Sequence, residues 1–413
     1  MPAGQTTMTD TDPSDTGRVV PPDSTDVVVI GGGVIGTSVA FFLATETDRD
    51  VTLLEKDRLA AGSSGDSSAV IRHHYGGQEI YTRMARWSSQ FYRVFEERVG
   101  SPIAHADNEL LRFAESDTPA GEYARDGYDL LTDLSIPATE YEGADLRERY
   151  PMLDLAGYDY GVTDDEAAYS DGTDVATAFG RAAAEAGATV ATKTPVTAIE
   201  TDAGAVTGVE TEHGTVACDD VVVAAGPWTP RLAETVEVSI PIRATREQVL
   251  LLDPPEEFRE EHLDGLPTTA RPGGDWYIRP DFGDGVLVAT HHAGEAVDPD
   301  AYDDSPDEST ILEMVDQLES LVPELADAGI KGQYCGVYST TPDHDFIIDS
   351  VGPAGCHLAC GFSGHGFKHA PAVGKILSEL VADGAAETFD VGYFSYDRFQ
   401  EDPDGHGVPK DLA

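Results

Sequence analysis

The chain has 413 residues, 40% of them apolar, which is enough to bury the cores of two domains. Its 76 acidic residues outnumber the 26 basic ones and give a formal net charge of -50. A charge this negative repels phosphate backbones and anionic lipid, so we expect no nucleic-acid partner and no binding to membrane surfaces.

The acidic residues are spread along the whole chain, as in the segment DAYDDSPDEST that begins at Asp300. This pattern predicts a solvated acidic surface, which is typical of proteins from salt-rich cytoplasm. We therefore hypothesise a halophilic source, and full stability in dilute buffer with no gain from molar KCl would contradict it. The sequence has no run of about 18 apolar residues, so we also expect no membrane span.

The cysteines and the N-terminal segment favour a cytoplasmic protein. The four cysteines, Cys218, Cys335, Cys356 and Cys360, show no paired metal-ligand spacing. They are predicted to be free thiols in a reducing cytosol rather than a disulfide or a zinc site. Residues 1–25 are rich in Thr, Asp and Pro and lack the regions of a signal peptide, so they are predicted to be a disordered acidic tail.

A strand, a turn, a helix and a second strand are predicted at residues 26–57. The apolar run DVVVI enters Gly31, and Gly33 and Gly36 complete a GxGxxG pattern that opens the helix VIGTSVAFFLATE. The three glycines permit a tight turn, approach of a pyrophosphate, and packing of the helix on the strand. Glu55, near the end of the second strand, can accept hydrogen bonds from ribose hydroxyls and would repel a 2′-phosphate. The pattern favours a site for FAD or NAD over one for NADP and over a purely structural turn.

The remaining elements predict a mixed architecture. One long amphipathic helix is expected at residues 80–99. After an Ala-rich helix and short strands, the apolar strand DVVVAAG is expected to return to the parallel sheet. Residues 241–330 carry the strands REQVLLLD, DWYIRP and GVLVATHH and then a helix, which predicts an inserted antiparallel domain. The helix APAVGKILSELVADG follows and ends at a C-cap-like Gly384.

Two segments of small residues favour a flavin as part of the cofactor. In GSSGDSSAVIRHHYG, the side chains of Ser63, Ser64, Ser67 and Ser68 leave room for a bulky ring. In GFSGHGFKHAPAVGKILSEL, a glycine-rich turn runs into a helix. The first amides of that helix could bind the edge of a flavin where negative charge collects, although a simple loop-to-helix junction has the same pattern.

These motifs, together with VVVAAGPWT and TPDHDFIID, resemble the D-amino-acid oxidase superfamily of FAD-dependent oxidoreductases. Within it the chain is most similar to the sarcosine oxidase group, from about Asp26 to Asp397. The resemblance implies an α/β fold: a Rossmann-like three-layer FAD-binding domain with an inserted antiparallel-sheet substrate domain. The predicted division is an FAD-binding domain at 26–102, 151–240 and 331–397, a substrate domain at 103–150 and 241–330, and a C-terminal tail at 398–413.

The resemblance also implies the site residues. Arg72 and Lys368 would clamp the substrate carboxylate above the flavin, although an ordinary ion pair would use the same residue types. Tyr277 and His291 match pocket residues, and either could instead be a strand residue with a structural role. The positions expected to bind FAD are Gly31, Gly33, Gly36, Glu55, Lys56, Ser63, Ser64, Ser68, Val196, Gly226, Gly336, Gly364, His365, Gly366, Phe367 and Lys368.

Two positions depart from the sarcosine oxidase pattern. The cysteine that tethers the flavin in that group matches Gly336 here, and Cys335 lies one residue earlier. A one-residue slip in a strand turns a side chain to the opposite face, so we expect non-covalent FAD unless a bulge restores the register. The lysine that activates O₂ in that group matches Leu287, which favours a dehydrogenase over an oxidase.

The sequence therefore predicts an FAD-dependent enzyme that oxidises the C–N bond of a small amino acid, preferably N-methylated or secondary, by hydride transfer to flavin N5. Its partners would be a carboxylate-bearing amine and an electron acceptor, either O₂ or a carrier protein or quinone. The alternatives are a D-amino-acid or 2-hydroxy-acid dehydrogenase of the same fold, or a flavin-containing assembly or electron-transfer subunit without a substrate of its own.

Overall fold

The computed structural model of the protein describes residues 19–291 and 294–401. The strands are β1 (Val27–Ile30), β2 (Val51–Leu54), β3 (Val70–Ile71), β4 (His105–Asp107), β5 (Leu110–Ala114), β6 (Ala138–Glu142), β7 (Tyr160–Asp164), β8 (Ala168–Ser170), β9 (Thr189–Ala191), β10 (Val196–Asp202), β11 (Ala205–Thr211), β12 (Gly214–Ala217), β13 (Asp220–Val223), β14 (Arg243–Asp253), β15 (Thr268–Thr269), β16 (Trp276–Asp281), β17 (Gly285–Thr290), β18 (Gly329–Thr340), β19 (Ile347–Ser350) and β20 (Cys356–Cys360). The α-helices are α1 (Val34–Glu46), α2 (Glu79–Arg93), α3 (Phe95–Val99), α4 (Pro119–Asp133), α5 (Gly143–Arg149), α6 (Gly172–Glu185), α7 (Thr229–Ala233), α8 (Glu256–Glu261), α9 (Glu308–Leu321), α10 (Ala370–Asp383) and α11 (Arg398–Glu401).

A six-stranded sheet in the order β19-β20-β13-β1-β2-β9 forms the centre of a three-layer unit. Strand β1 pairs in parallel with β2 and with β13, as the apolar run DVVVAAG predicts. Val27 and Val29 pack with helices α1, α2, α6 and α10 on one face of the sheet. Val28 and Ile30 pack on the other face against the three-stranded sheet β10-β11-β12. The alternation of buried side chains along β1 thus holds the three layers together.

An eight-stranded sheet, in the order β18-β14-β17-β16-β15-β5-β7-β6, forms the second large unit. Its neighbouring strands are antiparallel except for β15 and β5, which run in parallel. The antiparallel strands expected in residues 241–330 are therefore present. Strands β7 and β18 also pair in this sheet, although the sequence division assigns most of their residues to the cofactor-binding segments. Pairing partners, rather than position along the chain, decide which sheet a strand joins.

Three local features differ from the sequence expectations. The helix expected at 80–99 is broken at Val94, where φ is -115° and ψ is 24°, and Phe95 is then 2% exposed in the core. The N-terminal tail ends earlier than expected, because Ser24 pairs with Ala217; residues 1–18 of that tail lie outside the described residues. The expected C-terminal tail begins with helix α11 and, from residue 402 onward, also lies outside them.

Other expectations agree with the structure. Helix α10 ends at Gly384, whose φ of 74° is the left-handed conformation of a C-cap glycine. All four cysteines are free and buried. Among the helices in the described part of the chain, none is long and apolar enough to cross a bilayer.

Candidate functional site

The glycine turn between β1 and α1 shows which of its three glycines the protein itself requires. Gly31 has φ 114°, and a Cβ there would collide with the carbonyl oxygen of Ala224. A Cβ on Gly36 would collide with the carbonyl oxygen of Gly31. A Cβ on Gly33 would meet only the hydroxyl oxygen of Ser64, at 3.1 Å. Gly31 and Gly36 are therefore needed for packing, whereas Gly33 leaves open space where a phosphate could approach the backbone.

Glu55 is held at the end of β2 by two main-chain amides. The Gly32 N–H donates to Oε2 at 2.6 Å, and the Asp57 N–H donates to Oε1 at 2.7 Å. These bonds fix the carboxylate beside the glycine turn, with lone pairs left over for further donors. This placement suits the ribose contact expected for this residue.

A cavity of about 780 Å³ extends from the glycine turn to the start of α10. It is lined by most of the positions expected to bind FAD, namely Gly31, Gly33, Glu55, Lys56, Ser63, Ser64, Ser68, Val196, Gly226, Gly336, Gly364, Gly366 and Phe367. His365 and Lys368 line a neighbouring cavity instead. Gly36 packs against the carbonyl oxygen of Gly31 in the turn. The volume lies within the range of pockets that enclose a ligand, and its wall carries the open space at Gly33. The residues present therefore fit a dinucleotide.

The serine segment forms one wall of this cavity. The Ser64 hydroxyl accepts a hydrogen bond from the Val34 N–H at 2.9 Å, and the Ser63 hydroxyl donates to the Val337 carbonyl oxygen. At the rim, the Lys56 ammonium lies 3.5 Å from the centre of the Trp228 ring. These bonds fix the serine backbone, so small side chains line the space expected for the flavin.

A second cavity, of about 110 Å³, adjoins the first. Ser68, Tyr277, Tyr338, Gly364 and Phe367 line both. The four residues predicted to act on substrate, Arg72, Lys368, Tyr277 and His291, all line this smaller cavity. The structure thus brings together side chains that are almost 300 positions apart in the sequence.

Arg72 follows β3 in a segment that is anchored on both sides. The ring of the next residue, His73, bonds Asp164 at 2.9 Å through Nδ1 and Ser89 at 2.7 Å through Nε2. The Arg72 guanidinium donates to the His74 carbonyl oxygen and lies 4.1 Å from the centre of the Tyr75 ring. One edge of the guanidinium is therefore fixed, and its other donors remain for a ligand.

Lys368 is brought to the cavity by the glycine-rich turn before α10. Gly364 has φ 81°, and a Cβ there would collide with the Tyr338 ring. The chain then makes a short 3₁₀ turn at Phe367–His369, so α10 begins a few residues later than the glycine turn. Lys368 is 4% exposed, and its Nζ donates to the His365 carbonyl oxygen at 3.4 Å. Burial, together with Arg72 and Arg112, lowers the pKa of Lys368 well below its usual value.

Tyr277 and His291 line the same small cavity as these cations. The Tyr277 hydroxyl donates to Ser68 at 2.6 Å, and His291 Nδ1 lies 3.4 Å from the Tyr338 hydroxyl. Burial raises the pKa of Tyr277, so its hydroxyl is a neutral donor at neutral pH. Both side chains belong to an aromatic wall that includes Tyr338, a residue that the sequence analysis does not single out.

Arg112 and Tyr123 also line the small cavity and are absent from the sequence analysis. A cation in the otherwise apolar strand LLRFA was the available signal for Arg112. The buried hydroxyl of Tyr123 has no comparable signal, because its environment depends on how α4 packs.

The two departures from the sarcosine oxidase pattern are visible in the packing. Gly336 lines the large cavity, whereas Cys335 is not among the described residues that line it. Cys335 faces Arg246. Burial raises the pKa of the Cys335 thiol, and this effect is larger than the lowering by the Arg246 guanidinium. Leu287 is 1% exposed and packs with Val249 and Ala289.

The site thus consists of a cavity that fits a dinucleotide and an adjoining small cavity lined by several cations. The family model described as FAD dependent oxidoreductase, DAO, matches residues 26–380. The chain belongs to this family of FAD-dependent oxidoreductases, which confirms the resemblance seen in the sequence motifs.

Individual relatives match along most of their length. The monomeric sarcosine oxidase of Arthrobacter sp. (strain TE1826) is 26% identical over 387 residues, which cover 90% of this chain and 96% of that protein. The peroxisomal sarcosine oxidase of Mus musculus is 28% identical over 418 residues, covering 91% and 97%. The solved structure of L-proline dehydrogenase from P. horikoshii has a TM-score of 0.82 at 24% identity, covering 92% and 99%. The predicted fold class, with its Rossmann-like domain and antiparallel-sheet domain, is thereby confirmed.

Proposed function

We propose that this enzyme oxidises the C–N bond of a small amino acid, preferably one with an N-methylated or otherwise secondary amine. The observation that carries the proposal is the meeting of Arg72 and Lys368, both buried, in a cavity that adjoins the dinucleotide cavity. A forked guanidinium and an ammonium are the groups that a carboxylate needs. The names of the sarcosine oxidases among the relatives support an N-methylated amino acid.

The binding step follows from the electrostatics of the pocket. The free donors of Arg72 and the ammonium of Lys368 hold the substrate carboxylate. Because burial and two neighbouring guanidinium groups lower the pKa of Lys368, the arriving carboxylate favours its protonated form and supplies the missing partner. The same cations disfavour a positive charge on the substrate nitrogen, so the amine is bound in its neutral form.

The chain then positions the reacting bond. The carboxylate clamp orients the C–H bond beside the amine toward the large cavity, and the aromatic wall of Tyr277 and Tyr338 limits the space around it. FAD, when bound, supplies a two-electron acceptor. Loss of a hydride from the carbon beside the neutral amine leaves an iminium cation. Water adds to this cation and releases an amine, a carbonyl compound and one proton. Gly364 and Gly366 line the large cavity, and main-chain amides of this turn would stabilise negative charge there.

We infer that FAD is bound without a covalent bond and that the electrons leave to a carrier rather than directly to O₂. The orientation of Cys335 toward Arg246 supports the first inference. The apolar packing of Leu287, at the position where sarcosine oxidases carry a lysine, supports the second. The acidic composition and the free cysteines support a salt-rich cytoplasm as the place of action.

Anaerobic mixing tests the reaction. The protein is purified in molar KCl and its visible spectrum recorded before and after addition of sarcosine, other N-methyl amino acids, D-amino acids and 2-hydroxy acids. We expect the N-methyl amino acids to bleach the flavin band, and admission of air to restore it slowly. Bleaching only by D-amino acids or hydroxy acids would replace the proposed substrate. A flavin band that no candidate bleaches would indicate an assembly or electron-transfer role.

Lys368→Met tests the clamp. We expect it to lower kcat/KM for carboxylate substrates about 10- to 100-fold, the usual effect of losing a charged hydrogen bond, while the flavin spectrum is retained. Lys375→Met is the matched control, because Lys375 pairs with Glu46 at 2.7 Å on the outer side of α10 and lines neither described cavity. Equal kinetics of the two variants would contradict the clamp.

A further inference from the structure

The small cavity contains a cation, Arg112, that is not needed to bind a single carboxylate. Arg112 lies at the middle of β5, between Leu111 and Phe113, which pack in the core of the eight-stranded sheet. Strand alternation turns Arg112 to the other face, where it lines the small cavity with Arg72 and Lys368. The three cations are close enough that Arg72 and Arg112 both lower the pKa of Lys368, after the larger effect of burial.

Arg112 has no protein partner among the described residues. They provide it with neither a hydrogen bond nor an ion pair, and its Nε is shielded from solvent. The hydroxyl of Tyr123, which lines the same cavity, is also buried without a hydrogen-bond partner. Buried donors in folded proteins are normally satisfied, so two of them facing one cavity indicate acceptor atoms that come from a ligand.

The charge balance of the cavity points to an anion. No aspartate or glutamate is found among the described residues that line it. A fourth cation on the lining, Arg271, donates through one terminal nitrogen to the carbonyl and the hydroxyl oxygens of Ser320, at 2.6 and 2.8 Å, while its Nε is also buried without a hydrogen-bond partner. The chain as a whole has 76 acidic and 26 basic residues, whereas the charged residues among the described lining of this cavity are all basic.

We propose that Arg112 and the Tyr123 hydroxyl bind a second carboxylate, so that the preferred substrate is a dicarboxylic amino acid with a secondary amine. This inference rests on the proposed function. Arg72 and Lys368 hold the carboxylate next to the reacting carbon, and Arg112 holds the distal one. A carboxylate accepts from both a guanidinium and a phenol, which satisfies the two unpaired donors together. Arg112 is thus a specificity-determining residue of the proposed reaction.

Steady-state kinetics with paired substrates test this assignment. N-methylaspartate and N-methylglutamate are compared with N-methylalanine and sarcosine in wild type, Arg112→Met and Arg147→Met. Arg147 is exposed and donates to the Tyr158 carbonyl oxygen, so its variant reports the loss of one positive charge far from the cavity lining. We expect Arg112→Met to lower kcat/KM for the dicarboxylates about 30-fold more than for the monocarboxylates, mainly through KM.

Two further variants separate charge from geometry. Arg112→Lys keeps the charge and loses the fork, so part of the dicarboxylate preference should remain. Tyr123→Phe should cost the dicarboxylates about three- to tenfold. An equal loss for both substrate classes in Arg112→Met would assign Arg112 to the first carboxylate, and no loss for either class would make it structural; each result overturns the proposal.

Binding without turnover distinguishes a failure of this inference from a failure of the proposed reaction. Succinate, glutarate and acetate are titrated calorimetrically into the holoenzyme at one fixed KCl concentration. We expect the dicarboxylates to bind wild type at least tenfold more tightly than acetate and to lose that advantage in Arg112→Met. If this holds while no amino acid bleaches the flavin, the anion site is correct and the reaction is wrong. If N-methyl amino acids bleach the flavin but dicarboxylates bind no better than acetate, the reaction is correct and the second carboxylate site is wrong.

Discussion

Replacing Arg112 by Met is expected to stabilise the substrate-free protein. Burial and the neighbouring Arg72 lower the pKa of this guanidinium from its usual value to about 10. That difference corresponds to about 3 kcal/mol against the charged form in the folded state. Because the folded pKa is the lower one, the penalty is complete below pH 10 and fades only as the pH rises from about 10 toward the pKa of the unfolded chain. At pH 7 the variant removes all of it, and the flexible Met side chain fills the space of the arginine stem.

The size of the effect is measurable by scanning calorimetry. At about 2.1 cal/mol/K per residue, a chain of 413 residues unfolds with an entropy of about 0.9 kcal/mol/K. A gain of about 3 kcal/mol therefore raises Tm by about 3 °C. Wild type, Arg112→Met and Arg147→Met are compared in the same buffer with molar KCl and no added carboxylate. The surface variant should change the free energy of unfolding by less than about 0.5 kcal/mol.

One result would refute this reasoning. If Arg112→Met melts at or below the wild-type Tm while Arg147→Met is unchanged, the guanidinium has a stabilising partner in the folded protein. The cavity would then have no unsatisfied cation for a second carboxylate.

Three further predictions concern the cofactor cavity and the buried ion pair between Asp343 and Arg398. Gly33→Ala should keep the Tm of the flavin-free protein but lose flavin absorbance, whereas Gly36→Ala should destabilise the fold by about 1–3 kcal/mol through overpacking; the reverse order would contradict the assignment of the glycines. Acid precipitation should release flavin into the supernatant from wild type and from Cys335→Ser alike, and flavin kept in the wild-type pellet alone would indicate a covalent bond. Asp343→Asn should cost about 3–5 kcal/mol in urea unfolding, because it leaves Arg398, 2.8 Å away and buried, without its charged partner, and a loss below about 1 kcal/mol would contradict this account.

The glycine turn shows what local sequence can predict. Strand β1, the turn and helix α1 follow one another within about twenty residues, so their contacts are set by neighbours in the chain. The GxGxxG pattern is read from that short segment, whereas the atoms that a Cβ on Gly31 or Gly33 would meet belong to Ala224 and Ser64, which are distant in the sequence. Glu55 at the end of β2 belongs to the same local unit.

The carboxylate clamp shows what motifs add when local structure is insufficient. Arg72 and Lys368 were linked through a resemblance, and the structure brings both to one cavity. Their distance from a bound substrate and their roles remain proposals. The division into domains also remains a prediction. It assigns most residues of β7 and β18 to the FAD-binding domain, whereas both strands pair in the eight-stranded sheet.

The sequence by itself determined the family and the dinucleotide turn, because their motifs consist of residues at short, fixed spacings. It gave the candidate clamp only through the resemblance to that family. Only the tertiary structure decided that Cys335 faces Arg246, that Tyr338 lies beside His291, and that Arg112 lines the small cavity without a partner among the described residues. The reason is that the cost of a buried charge depends on which distant segments surround it. No spacing along the chain records whether an acceptor from another strand or helix reaches the same space.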